Sequence, residues 1–237
     1  TASGATEHQP IEIIKSYGSE GGSSSVVEVE VAWDPGPPVK SSVYGKGNIT
    51  INGSSGFISG NDSCGQADPK SPVYTLLPAT TTGSPTYEGN PPYPLSGTQE
   101  IDIEAIVKEL KIGATVITTD QSGTDFGGPG NFVTVYSDTS NPYNVQGLKI
   151  QNGTGYGLLL VEGDLTLGAG VNWNGIIMVT GTLTLNGGGG GINIRGAAIG
   201  NNTIDINGGL DIRYDSCEIK SSMKNKPLLV LGWKHLY

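Results

Sequence analysis

Histidine, cysteine and cationic side chains are scarce in this chain of 237 residues, and each shortage closes a route to function. The two histidines, His8 and His235, stand near opposite ends and no GxSxG elbow occurs, so a Ser-His or Cys-His nucleophile has no material. The two cysteines, Cys64 and Cys217, belong to no CxxC pair with histidines nearby, which removes a zinc-ligand pattern. Thirteen Lys and Arg against 22 Asp and Glu give a net charge of −9, with no basic cluster. Such a chain repels nucleic acid and anionic membrane surfaces. The longest apolar runs, around Leu158 to Val161 and Leu228 to Leu231, fall far short of the ~20 residues a membrane-spanning helix needs. No signal-peptide pattern is present, and the chain as given is expected not to span a membrane.

Glycine is what the chain has in quantity. Thirty-eight glycines without a collagen period, beside only three Phe, indicate a turn-rich all-β protein. Gly157 to Leu167 and Gly175 to Leu185 superimpose as G-(L/I)-(L/I)-(L/M)-V-x-G-x-L-T-L at a spacing of eighteen residues, and Gly196 opens a looser third copy. VYGKGNITING, from Val43, lies over VTGTLTLNG and places a fourth copy far earlier in the chain. Short apolar strands with glycine corners at a period near twenty predict stacked β-rungs, a glycine-rich β-solenoid or β-helix.

Around the rungs, residues 11 to 33 alternate as a β-hairpin, and the prolines of DPGPP at 34 to 38 mark a boundary. The expected organisation is an amino-terminal hairpin segment over 1–38 and a solenoid domain over 39–237. Within the latter, 68–97 is rich in Pro, Thr, Gly and Tyr and reads as a long surface loop. Residues 100–111 read as one amphipathic side helix, with Ile103, Ile106, Val107 and Leu110 at helical spacing. Strand patterns return at 114–119 and 131–137, separated by the flexible DQSGTDFGGPG, and PLLVLGWKHLY at the carboxyl end suits a docked strand capping the rungs together with the hairpin.

Candidate chemistry is thin. Asp120 and Asp125 could hold Ca²⁺ in a glycine loop, although solvated loop acids explain them more simply. Arg195 and Arg213 with Asp205 and Asp211 are the one group that could serve polysaccharide cleavage, but alternation puts these charges on outward strand positions. GGGGG at 187–191 lacks the Lys-Ser/Thr and helix of a phosphate loop and reads as a corner. The five Asn-x-Ser/Thr sequons, at Asn48, Asn52, Asn61, Asn152 and Asn201, also suit corner turns. Cys64 and Cys217 are either two buried thiols or one disulfide, and the exported character of the composition favours the disulfide.

VVEVEVAW, SSVYGKGNITINGSSGFISGNDSCG, the helix IDIEAIVKELK, the paired GLLLVEGDLTL and NGIIMVTGTLTLNGGGG rungs and the closing DIRYDSC resemble the extracytoplasmic part of bacterial PilX-type pilus-assembly, minor-pilin-like proteins. The resemblance runs from about Ile11 to the end. It implies a place at a pilus or the cell surface, pilin-like partner subunits and no catalytic residues, and it strengthens the disulfide expectation, since both cysteines fall in its most recognisable segments. Such proteins insert through an apolar amino-terminal helix, whereas this chain opens with TASGATEHQP. The anchor is therefore expected either to have been removed or to sit on a separate chain.

The sequence thus predicts a non-enzymatic structural or interaction subunit of a type IV pilus-like surface filament or its assembly machinery, with no cofactor. Tyr74, Tyr87, Tyr93, Trp233 and Tyr237 are the expected partner contacts. One alternative is an extracellular β-helix that binds or cleaves polysaccharide, such as a surface glycan, along a groove of Tyr74, Tyr87, Tyr93 and Tyr143. Another is a self-polymerising, bactofilin-like scaffold.

Overall fold

The computed structural model describes residues 11–32, 36–53, 56–139, 147–224, 226 and 229–236. The chain divides into two compact units, one of residues 1–36 with 223–237 and one of residues 37–222.

The first unit is a three-stranded antiparallel sheet. β1 (Ile11–Glu20) turns through Gly21 and Gly22, both at positive φ, into β2 (Ser23–Ala32), and β21 (Leu229–Leu236) pairs with the other edge of β2. Lys15, Glu28 and Lys234 stand opposite one another, and the Glu28 carboxylate takes both ammonium groups, at 2.9 and 2.5 Å.

The second unit begins with β3 (Ser41–Gly45), β4 (Ile49–Asn52), β5 (Gly56–Ser59), β6 (Ser71–Thr75), β7 (Thr80–Thr82), β8 (Thr86–Glu88) and β9 (Leu95–Ser96). After α1 (Ile103–Leu110) come β10 (Thr115–Val116), β11 (Gln121–Ser122), β12 (Val133–Asp138), β13 (Leu148–Gln151), β14 (Thr154–Glu162), β15 (Leu165–Leu167) and β16 (Val171–Val179). β17 (Leu183–Asn186), β18 (Ile192–Gly200), β19 (Ile204–Asn207), β20 (Leu210–Arg213) and α2 (Ser216–Met223) complete it. All strand pairing in this unit is parallel, in one sheet of eleven strands and one of seven. From β10 to β20 successive strands alternate between the sheets, so the crossover between parallel neighbours such as β14 and β16 runs through β15 of the other sheet.

The solenoid expected from the repeat is corrected here. The described residues hold about 52% strand and 9% helix; long parallel sheets of this kind are otherwise the feature of α/β arrangements. Strand order does not follow chain order: β5 lies beyond β20, β4 beyond β19, and β18 pairs with β16, β20 and β3. A sequence repeat reports which residues pair in register, and it carries no information on the order in which distant segments enter a sheet.

Glycine fixes where the long strands bend. Gly157, Gly175 and Gly196 face one another in β14, β16 and β18, with φ of 122°, 136° and 133°. A Cβ on any of them would lie 1.9–2.1 Å from the carbonyl oxygen of the preceding strand. Only glycine permits both that φ and that approach.

Beyond this bend the strands are buried on both faces, and they read as the unbroken runs LLLV and IIMV. Leu159, Val161, Ile177, Val179 and Ala198 join the inner core with Leu165, Leu167, Leu183, Leu185, Ile204 and Ile206 of the seven-stranded sheet. Leu158, Leu160, Ile176, Met178 and Ile199 point the opposite way and are equally buried. α1 packs on β14 and β16 and buries Ile103, Val107 and Leu110. Its start is capped by Asp102, which accepts from the Ala105 N–H at 3.0 Å. Its end is held by Lys111, which donates to Glu162 at 2.8 Å and to Tyr136 at 3.2 Å.

Two local expectations are also revised. The segment 68–97 is not a loop laid outside the sheets: β6, β7, β8 and β9 extend both sheets beyond β3, β4 and β5. α2 was not expected at all; Asp215 caps it by accepting from the N–H groups of Cys217 and Glu218. The five glycines at 187–191 hold a short 3₁₀ turn between β17 and β18.

Candidate functional site

Short of the glycine bend, β14, β16, β18 and β20 alternate cleanly between core and solvent. Trp173, Ile194 and Ile212 point inward, and Trp173 fills the space a side chain at Gly155 would need, its indole N–H donating to the Gly157 carbonyl at 3.1 Å. The intervening residues face outward as two files across the strands: Thr154, Asn172, Asn193 and Asp211 in one, Tyr156, Asn174, Arg195 and Arg213 in the other. They are neighbours because parallel strands lie ~4.8 Å apart.

Six residues of this surface, Thr154, Tyr156, Asn172, Asn174, Asn193 and Arg195, together with Trp173 beneath them, border a shallow cavity of about 370 Å³. Asn193 donates to the Asn172 side-chain oxygen at 2.8 Å, and Asn174 to the Gly155 carbonyl at 3.4 Å. Phe132 meets Tyr156 edge-on, with ring centroids 6.0 Å apart. Arg213 grips Asp211 with two bonds of 2.8 and 3.0 Å and lies over the Phe57 ring, whereas Arg195 reaches the same carboxylate only at 3.3 and 3.4 Å.

No protein family, curated protein or solved structure matches the chain. The site's meaning rests on its own chemistry.

The residues singled out in the sequence scatter. Asp211 joins both arginines, but Asp205 lies in β19 of the other sheet, so the four-residue catalytic group is not assembled. Asp120 and Asp125 each accept a neighbouring strand's N–H, from Lys149 at 2.9 Å and Thr154 at 2.8 Å. Those bonds give both acids work in holding the strands, and the two do not form a ligand cluster with other acids among the described residues. Tyr74 is buried, stacked on Tyr44 and accepting from the Gln99 N–H, so it offers no ring to a partner. Tyr87 is half-buried against the core, Tyr93 is exposed and Trp233 is 73% exposed. The expected tyrosine groove is therefore not formed by Tyr74, Tyr87 and Tyr93. Tyr143, Tyr237 and His8 lie outside the described residues.

Cys64 and Cys217 are joined, with Cα atoms 6.1 Å apart. A cysteine pair at this distance is compatible with an extracytoplasmic location. Asp62 binds the same junction: it accepts from the N–H and hydroxyl of Ser216, both at 2.8 Å, and from the N–H groups of Gln66 and Ala67 at 2.7 and 2.8 Å. Burial alone would raise this carboxyl's pKa, but the four hydrogen bonds outweigh it and hold the value below the ordinary aspartate range. Asp215 is the third member of this group of potential metal ligands, and with both sulfurs bonded to each other it is left as a lone carboxylate.

Sequence reasoning singled out Trp233 and Arg195 but passed over the apolar file and the cavity to which they belong. On that face Ile14, Val29 and Trp233 stand directly opposite one another across the three strands, with Ile14 50% exposed. The signal for the cavity was present: Thr154, Asn172 and Asn193, with Tyr156, Asn174 and Arg195, recur at matching places in the repeat.

Proposed function

We propose that the chain is a non-enzymatic structural or interaction subunit of a bacterial surface filament or its assembly machinery, of the pilus-associated kind it resembles in sequence. The observation that carries this reading is the apolar file Ile14, Val29 and Trp233 across the three strands, whose outer members Ile14 and Trp233 are at least half exposed. Contiguous exposed apolar surface marks interaction sites, and its burial against a neighbouring subunit is favourable by about 25 cal/mol per Å². Tryptophan is among the residues that dominate such interfaces. The joined cysteines support a place outside the cytoplasm. Among the described residues no helix is long and apolar enough to cross a membrane.

The test is incorporation. In the native bacterium, Trp233→Ser is expected to remove the protein from sheared and purified surface filaments while its total amount and melting temperature stay unchanged. Wild-type amounts of the variant in the filaments would overturn the reading.

A further inference from the structure

The cavity bordered by Tyr156, Asn174, Asn193 and Arg195 has the chemistry of a ligand site, and we propose that it binds an acidic saccharide, a sugar chain carrying uronate carboxylates. This site is independent of the partner-binding face on the first unit and stands whether or not the chain belongs to a filament.

The chain has a net charge of −9 and only two arginines, yet β18 and β20 set both side by side on one face. Asp211 pairs with both, and Arg213 holds it more closely in both bonds and has Glu88 nearby as a second carboxylate. The longer bonds leave Arg195, at the cavity's edge, the less fully paired of the two guanidinium groups. A planar guanidinium with spare donors recognises a carboxylate in bidentate fashion.

The neighbouring groups say what accompanies that carboxylate. Asn193 and Asn174 each commit one amide N–H, to Asn172 and to the Gly155 carbonyl, and each keeps a second N–H and its side-chain oxygen. Paired donors and acceptors beside a cation suit a ligand whose hydroxyl groups, which both donate and accept, stand next to its acid group. Tyr156, steadied by the edge of Phe132, supplies an aromatic face for the C–H side of a sugar ring. The volume of about 370 Å³ falls within the range of small-ligand sites. Since the outward files continue across successive strands, an oligosaccharide lying across the sheet meets Tyr156, Asn174, Arg195 and Arg213 in turn.

Calorimetric titration of the whole chain with tri-galacturonate and with the neutral tri-galactoside tests the site. The acidic trimer is expected to bind about tenfold or more tightly than the neutral one, as a charge-assisted pair implies. Arg195→Gln should erase that preference and Arg195→Lys should retain part of it. Asn193→Ala, at an exposed position where folding is not at stake, should weaken both sugars several-fold. Equal affinity for the two trimers, no binding of either, or an acid preference that survives Arg195→Gln would overturn the proposal.

Discussion

Val and Ile build both the parallel sheets of the second unit and the antiparallel sheet of the first, yet the two regions treat these residues in opposite ways. In β14, β16 and β18 beyond the glycine bend, every apolar side chain on either face is covered. In β1 and β21, Ile13, Ile14, Tyr17 and Trp233 are at least half exposed. What differs is the neighbourhood: β14 and β16 have the inner core on one side and α1 on the other, while the three-stranded sheet leaves Ile14 and Trp233 largely in water. Burial on both faces produces rigidity, and an uncovered face supplies a surface to bind.

Substitutions can pull that contrast apart. The largest effect belongs to Gly175→Val, which places a branched side chain at φ 136° and a Cβ 2.1 Å from the Gly157 oxygen. Loss of more than about 4 kcal/mol is expected, read as failure of the chain to give a cooperative melt. Next comes the Cys64→Ala, Cys217→Ala pair. With 153 residues between the cysteines, the chain-entropy relation gives a loss of about 5 kcal/mol at most, measurable by urea denaturation. A drop below about 1 kcal/mol would show that pairing of β5 with β20 already holds the junction.

Asp62→Ala is expected to cost about 2 kcal/mol, since it strips the acceptor from several N–H and O–H donors at once. The wild-type protein also carries a pH signature here. Because the folded pKa lies below the unfolded value, this stabilisation is complete above the ordinary aspartate value of 3.8 and disappears as pH falls through the lowered one. Asp62→Ala should flatten that acid limb of the stability profile. The smallest effect is on the exposed face, where Trp233→Ser should change stability by no more than about 0.5 kcal/mol while abolishing partner binding. A large stability loss there would mean that the first unit needs its tryptophan for folding.

The parts of the fold legible in the sequence are those governed by local pattern. The strands of the repeat, though not their arrangement, announced themselves through glycine corners and through the doubly buried runs LLLV and IIMV, and the helix through the spacing of Ile103, Val107 and Leu110. β7 was hidden because Thr80 to Thr82 contain no apolar residue and all three are exposed; it is a strand because β4 offers a template edge to pair with. Prolines at 72, 78, 85, 91, 92 and 94 masked the rest of that region, yet they sit where strands meet turns or where an N–H is not required for the outer edge. The placing of β3, β4 and β5 beyond β18, β19 and β20 is a contact between the front and back of the chain, and no local pattern encodes it. The cavity was legible in principle: comparing outward positions of the repeat, rather than its apolar ones, brings Tyr156, Asn174 and Arg195 together.

That front-to-back pairing also sets a timetable. As the chain is synthesised, β3, β4 and β5 can zip to β6, β7 and β8 at once, but their opposite edge stays bare for well over a hundred residues, until β18, β19 and β20 arrive. During that interval Cys64 remains a thiol and an open strand edge can be captured by the late strands of another copy, giving a swapped pair in place of a closed monomer. β18, β19 and β20 are thus the strands that decide whether the molecule ends alone or entangled.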